Sequence, residues 1–562
     1  MTLDMKRLTS LFLLCLTLTF AFAQSPGNVS ANLQWWFKAN DGTDVVDDRA
    51  QVNTWLNRGA FKTKSMVRMQ KSSLGYPLLA YNKLNGNAVI QFSADSLAGF
   101  QTSPSDFTNM LPTAGNCTFV VVFQSSQIKS NVSDIHYYTP YLLGTESEAT
   151  TFDFEVGFAN GGVVMKCDSI DYWSASSKAK YADNRAHIAM GSKLLGPIVN
   201  SDCSLDLFVD GLPDINTNTI PSSSLLNSAN YLIENYYHGF TVGVQINHLL
   251  DKLTQNTAFT GSIAEIIVYD RVLSAEEMKA VNAYLAIKYG ITLNQTTPLD
   301  YVSANGNVVW EAASFGVFNK DIAGIGIDPA SGLTQLQSQS INPGAMVTMK
   351  QASSLESNDF LLWSDNGLPP TAVYHDLAAP VEARLARVWQ IQQTGEVGTV
   401  TVQLDLSAVP GNINVQDLRL LLSEDGDFGQ HTTVLLPQAM VNKIVTFNAV
   451  NFKAHAAKYF TLGSVNRGQT PLSANIIPRP EVVIYELVTP NHDGHNDGFK
   501  ILNVAYFPDN ELFIYTHEGI EIFHQHNFTN GDWDANRVVD GHYYYVFKAG
   551  SIKHSGEIVV KH

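Results

Sequence analysis

The apolar residues in the first half of the chain come in short blocks. Runs at 88–92, 117–123, 205–209, 240–244 and 263–269 lie between turns rich in Gly, Asn and Ser. Blocks of this length with no helical period between them predict the strands of a sandwich or barrel. One segment has the helical period instead. Ser274-Ala275-Glu276-Glu277 reads as a capping box, with Ser274 at the N-cap and Glu277 three residues on. Met278, Val281, Tyr284 and Leu285 then share one helical face, and Gly290 stands where a left-handed C-terminal cap belongs. The pattern predicts a single helix packed across the edge of the sandwich.

The second half carries the cleanest alternation. Val400, Val402, Leu404 and Leu406 interleave with Thr399, Thr401, Gln403 and Asp405. This is a period of two, one face buried and one wet. Flanking strands are predicted at 360–363, 387–391 and 418–422. Residues 467–481 hold Pro471, Pro478 and Pro480 among polar residues without a period, and predict a linker. Beyond it, strands are predicted at 511–515, 520–523, 543–547 and 557–560. The apolar set of this last module is Phe499, Ile501, Phe513, Tyr515, Ile522, Trp533, Tyr544 and Phe547.

The start of the chain is a targeting segment. Lys6 and Arg7 precede the apolar run 11–20, and Ala21-Phe22-Ala23 forms a small-x-small cleavage site before Gln24. The run is shorter than the roughly 20 residues a membrane-spanning helix needs. No later stretch qualifies, so no transmembrane segment is expected in the mature chain. Cys15 lies inside the apolar run behind Leu14, which argues against a lipid anchor.

Composition narrows the function. Against 52 acidic residues stand 35 basic ones, a formal charge of −17 over 562 residues. Nucleic-acid binding needs the opposite sign. Charged residues are only 15% of the chain, against about 25% in typical domains. The polar surface is therefore built from Asn, Ser, Thr, Gln and Gly, the habit of extracellular β-proteins. Once Cys15 leaves with the leader, Cys117, Cys167 and Cys203 remain. Three cysteines are no disulfide framework. A Cys167–Cys203 bridge and three buried thiols both stay open.

Residues 24–293 resemble the concanavalin A-like lectin/glucanase group in its laminin-G-like form. The resemblance rests on 32–42 (NLQWWFKANDG), 88–92, 207–211 (LFVDG) and 261–274 (GSIAEIIVYDRVLS). It implies a jelly-roll sandwich that binds glycans or proteins, and in some members hydrolyses polysaccharide. Trp35, Trp36 and Tyr269 are the aromatic candidates for a sugar, although a core role competes for each. A retaining glycosidase needs two carboxyls about 5 Å apart. Hydrolytic members of the group carry them as E-x-D-x-E. The nearest match is Asp153-Phe154-Glu155, and Thr151 stands at the first position. Without that nucleophile the expectation is a non-catalytic domain, with a diverged polysaccharide hydrolase as the alternative. No G-x-S-x-G, H-E-x-x-H or P-loop occurs, and Gly324-Ile325-Gly326 lacks the third glycine of a nucleotide fingerprint.

Two features of the C-terminal module could bind metal. Eight of the 15 histidines lie there: His492, His495, His517, His524, His526, His542, His554 and His562. Imidazole suits zinc, but no Cys or H-x-x-x-H accompanies them, and they read as solvated surface. The stretch 489–497 (TPNHDGHND) crowds Asn491, Asp493, Asn496 and Asp497 around a turn glycine. Such oxygens suit calcium; a solvated Asx-rich turn is the other reading.

Residues 482–562 resemble the gliding motility-associated type B sorting domain of Bacteroidetes proteins exported by the type IX secretion system. The carriers are Thr489-Pro490-Asn491, Asp493-Gly494, Asn496-Asp497, Phe507-Pro508-Asp509-Asn510, Ile514-Tyr515, Asp532-Trp533-Asp534 and Asp540-Gly541-His542-Tyr543-Tyr544-Tyr545. His492 and His495 depart from the usual loop, and Thr516-His517-Glu518-Gly519 replaces the common Asn-Arg-Trp-Gly. The middle region resembles an uncharacterised domain found between such modules, through 284–293, 322–328, 338–342 and Arg387-Val388-Trp389.

The expectation is an all-β protein. It has a signal peptide (1–23), an N-terminal jelly-roll sandwich with one peripheral helix (24–293) and a middle β-domain (294–466). A linker (467–481) and a small C-terminal β-sandwich module (482–562) follow. Its expected role is a secreted or outer-surface adhesion protein that binds a glycan or surface protein and is handled by the type IX machinery. A purely structural surface protein is the third reading.

Overall fold

The computed structural model describes residues 24–60, 65–69, 75–102, 116–128, 141–147, 154–159, 161–167, 173–195, 203–215, 217–219, 237–244, 246–247, 252–253, 258–353, 355–474, 481–507, 510–549 and 552–562. The leader expected at 1–23 lies outside them. The chain forms two compact units. The first is Met1–Gly367 with Trp389–Leu404 and Asn448–Asn451; the second is Leu368–Val388 with Asp405–Phe447 and Phe452–His562.

The first unit opens with a sandwich. One sheet runs in the order Leu212–Pro213, Cys203–Val209, Ala186–Leu195, Cys117–Gln124, Gly261–Tyr269, Asn87–Phe92, Leu78–Leu84, with Leu33–Lys38 also on Gly261–Tyr269. The facing sheet runs from Thr217–Thr219 through Trp173–Ser176, Gly162–Cys167, Phe154–Ala159, Tyr141–Ser147, Tyr237–Val242, Phe100–Thr102 and Ser65–Arg68 to Thr54–Leu56. Between them Trp35, Phe37, Phe119, Val121, Phe158, Met165 and Ile266 form one core. Trp36, Val120, Val122 and Ile267 point the other way, into a second core on the back of the first sheet. A sheet buried on both faces needs continuous apolar strands, which is why these runs do not alternate in the sequence.

The second core places the helix α1 (Ala275–Tyr289). Its predicted capping box is present in both directions, and Gly290 takes the left-handed φ of 66°. The helix is not peripheral, however. All nine residues from Val281 to Tyr289 are buried. They pack between the back of the first sheet and Trp310, Ile322 and Leu362 of the segment that follows. The position expected for a domain boundary, 293/294, thus falls inside one compact unit.

Two polar devices fix this layer. At the hairpin turn Asn85-Gly86 both residues have positive φ, 51° and 79°, as a two-residue Asn-Gly turn requires. The Asn85 amide donates to the carbonyl of Lys288 at 3.1 Å and to Ser338 Oγ at 2.9 Å, while its Oδ1 accepts the Gln339 N–H at 2.7 Å. One side chain therefore joins the hairpin, the end of α1 and the strand Gln337–Gln339. The second device is the carboxylate of Glu265. It is fully buried and accepts from Trp36 Nε1 (2.5 Å), Tyr284 OH (3.0 Å), Tyr289 OH (2.7 Å) and Lys288 Nζ (2.6 Å). Burial favours its neutral form, but the Lys288 charge and these donors outweigh it and hold its pKa below the usual value.

In the second unit Tyr459–Ser464 pairs with Ala383–Leu385 and with Leu418–Ser423. The segment read as linker differs from expectation at its start. Thr470 Oγ1 donates to Asp417 Oδ2 at 2.8 Å and accepts the Asn414 N–H at 2.9 Å, and Leu472 is fully buried. Residues 467–472 thus finish the packed β-domain, and 475–480 lie outside the described residues.

The module that follows has a sheet in the order Leu487–Val488, Ile552–Val560, Gly541–Ala549, Asn510–Tyr515, Glu521–His526, with a two-stranded ribbon of Val483–Tyr485 and Lys500–Leu502. Its core contains Phe499, Ile501, Leu512, Ile514, Phe528, Trp533, Tyr545 and Phe547. Phe513, Tyr515 and Tyr544, expected inside, are on the other face: Asn510–Tyr515 buries its even-numbered positions. Both parities of this strand are apolar at their centre, so its period of two could not choose between them.

Glu265→Gln is expected to destabilise the first unit by about 3–5 kcal/mol, because the Lys288 ammonium stays buried without its anion. Adding Lys288→Met should recover most of that loss. Denaturant unfolding followed by tryptophan fluorescence measures both; equal damage in single and double variants would contradict the charge argument.

Candidate functional site

A cleft of about 570 Å³ opens in the first unit. Its wall is mostly amide and hydroxyl, with Asn82, Asn184, Gln337, Asn342, Thr348 and Gln403 among the lining side chains. The charged residues in it are Lys83 and Arg185, and no carboxylate lines it among the described residues. The strand Leu78–Leu84 and its Asn-Gly turn supply one wall, and Gln337–Gln339 and Val347–Gln351 another. The residues 184–186 close a third side.

That third side is held by His187, which is buried. Its Nδ1 lies 2.7 Å from Asp210 Oδ2 and its Nε2 3.1 Å from Asp183 Oδ1. Two carboxylate acceptors call for a proton on both ring nitrogens. Burial works against that charge, but Asp210 and then Asp183 outweigh it and raise the pKa. Asp183 also accepts the Arg185 N–H at 2.9 Å and Arg185 Nε at 2.6 Å. Tyr181 packs its ring edge-on to His187 at 4.8 Å and donates to Asp214 at 2.6 Å. The cleft edge is thus clamped to the sheet beneath it.

In the C-terminal module the four predicted ligand residues do share one loop. Asn491 Oδ1 accepts the Asp493 N–H at 3.1 Å, Asp493 Oδ1 the His495 N–H at 2.8 Å, and Asp497 Oδ2 the Gly494 N–H at 2.8 Å. Asn496 joins through its backbone carbonyl, which accepts the Thr489 N–H at 2.7 Å. These are turn bonds, which the loop makes with or without an ion. Asp497 Oδ1 is shielded and has no hydrogen-bond partner.

Residues 482–560 match the CHU_C type IX secretion signal domain. The chain therefore carries a signal for export out of the cell, and the loop 489–497 is part of that signal domain. Residues 277–456 match a domain of unknown function (DUF8202). No curated protein is similar to the chain in sequence. Among solved structures, the botulinum neurotoxin serotype G binding domain aligns with 86% of this chain and 88% of its own at 9% identity and a TM-score of 0.30. The binding domain of Paraclostridial mosquitocidal protein 1 covers 77% and 97% at 9% identity and 0.32. Trypanosoma rangeli sialidase with bound 2,3-difluorosialic acid covers 45% at 12% identity and 0.25; this chain spans about a third, 33%, of its length. Likenesses this distant assign no role to any residue. No helix among the described residues is long and apolar enough to cross a membrane.

The remaining predicted residues fall as follows. Trp35, Trp36 and Tyr269 are buried, with at most 1% of their surface exposed, so they serve the cores and reach no external ligand. Asp153 lies outside the described residues. Glu155 sits in Phe154–Ala159 opposite Lys166 and Gly144, and its side chain lies outside them too. Cys117 is buried, and the Cys167 and Cys203 side chains are not described. The cleft amides are not distinguishable along the chain, because Asn and Gln are scattered throughout it.

His187 contributes stability that is complete below its unfolded pKa near 6.5 and is lost as pH rises through its higher folded value. The stability difference between the parent and His187→Gln is expected to be largest near about pH 6 and to shrink toward about pH 9. Melting temperatures across that range test this; a difference independent of pH would show a neutral imidazole.

Proposed function

We propose that this protein is a non-catalytic binding protein, sent through the type IX system to the outer surface or the medium, and that it takes a neutral glycan in the amide-lined cleft. The observation that carries this is the chemistry of the wall. Amides and hydroxyls donate and accept at once, as the hydroxyls of a sugar do. No carboxylate among the described residues lines the cleft to supply an acid–base pair for glycosidic cleavage. The resemblance of residues 24–293 to concanavalin A-like domains supports the same reading. The site is wider than that domain, because Gln337 and Gln403 belong to later strands and Asn342 to a later loop.

The mature chain, rather than residues 24–293 alone, should therefore bind on a glycan array. Gln337→Ala with Gln403→Ala is expected to weaken binding about tenfold or more, each lost hydrogen bond costing about 1 kcal/mol. Absence of any glycan signal would favour the purely structural alternative. Release of reducing ends from laminarin, lost in Glu155→Gln, would instead make the protein a hydrolase.

Export is tested by fractionation in a host with the type IX system. Deleting residues 482–562 is expected to leave the protein in the periplasm. Trp533 packs against Phe499 at 6.1 Å and Tyr543 at 6.4 Å in the module core. Trp533→Ala should cost the module about 3–5 kcal/mol and give a partial form of the same defect. Equal surface yield of parent and deletion would sink the export reading.

A further inference from the structure

The outermost strand of the signal domain, Glu521–His526, presents His524 and His526 on one face, two residues apart. Its neighbour Asn510–Tyr515 places Glu511 directly across from His526 and Phe513 across from His524. Three donors converge there. His524 Nε2 lies 2.9 Å and His526 Nε2 3.1 Å from the same oxygen, Glu511 Oε1. All three donor atoms lie within 4.8 Å of one another. We propose that Glu511, His524 and His526 form an open binding site for a divalent transition metal of the zinc class.

Donor chemistry and spacing both support it. Two imidazoles and one carboxylate suit zinc, nickel or copper over calcium or magnesium, which prefer all-oxygen sites. Ligand atoms about 2.1 Å from a zinc ion at tetrahedral angles stand about 3.4 Å apart, within the range found here. Three protein donors leave one position for water. Lys548 Nζ lies 3.5 Å from the other carboxylate oxygen, Oε2, so Glu511 would bind through Oε1 alone.

The ligands are also held in place. His524 stacks on Phe513 with ring centroids 4.1 Å apart. Next to Glu511, the buried Asn510 donates to the carbonyls of Phe507 (2.7 Å) and Phe528 (3.0 Å), and its own carbonyl accepts the Asn527 N–H at 2.7 Å. Both strands are thus pinned beside the site. A bound ion would tie Glu521–His526 to its neighbour at the edge of the sheet, where the backbone ladder has a partner on one side only among the described residues.

The test is calorimetric titration of the untagged mature chain, stripped with chelator, with zinc chloride. Saturable binding is expected, with a rise in melting temperature. His524→Ala, His526→Ala and Glu511→Gln should each weaken it at least about tenfold, since loss of an outer-shell partner alone costs 10–100-fold. His492→Ala with His495→Ala, in the loop 489–497, should bind as the parent does. The His526 side chain is 72% exposed, so weakened binding in that variant is not a folding defect. No saturable zinc binding by the parent, or binding lost in the loop variant and kept in the other three, overturns the proposal.

Discussion

The carboxylate of Glu265 has no water to turn to. It sits on the back of a sheet whose front already fills one core, and four donors from a strand and a helix replace its hydration. A buried ion pair is weak evidence for net stability, but this one restricts geometry. Only one rotation of α1 brings Tyr284, Lys288 and Tyr289 onto the same carboxylate. That rotation turns the apolar residues of α1 toward the sheet and toward the segment after it. The sandwich and residues up to 367 become one unit because this helix has two packed sides.

The cleft depends on the same layer. Asn85, at the tip of a hairpin, binds the last carbonyls of α1 and the backbone of Gln339. With the helix fixed, the hairpin is fixed, and with it the wall that carries Asn82. The opposite side is set by His187 between two aspartates. The cleft is thus built on rigid supports, with buried charge beneath a wall of amides, hydroxyls and the two cations Lys83 and Arg185. The signal domain divides its labour in a similar way. Phe499, Trp533 and Tyr545 pack its core, while its loops and outer strand carry Asn, Asp and His side chains.

The sequence by itself determined the element types and the export signal. Strand blocks, the capping box at Ser274, the Gly290 cap and the carrying motifs of residues 482–562 are local, and local chemistry encodes them. It also determined the alternation at 400–405, where one parity is polar throughout. Tertiary structure alone decided the rest. Which face of Asn510–Tyr515 goes inward was open, because Leu512, Phe513 and Ile514 are all apolar and only the packing of Trp533 and Phe499 chooses between parities. The depth of α1 was hidden because its second buried side faces residues some 20 to 80 positions later. The cleft and the Glu511–His524–His526 cluster depend on cross-strand register and long-range contact. Asn, Gln, His and Glu are ordinary surface residues until the fold sets them against one another, and nothing in their spacing along the chain encodes that meeting.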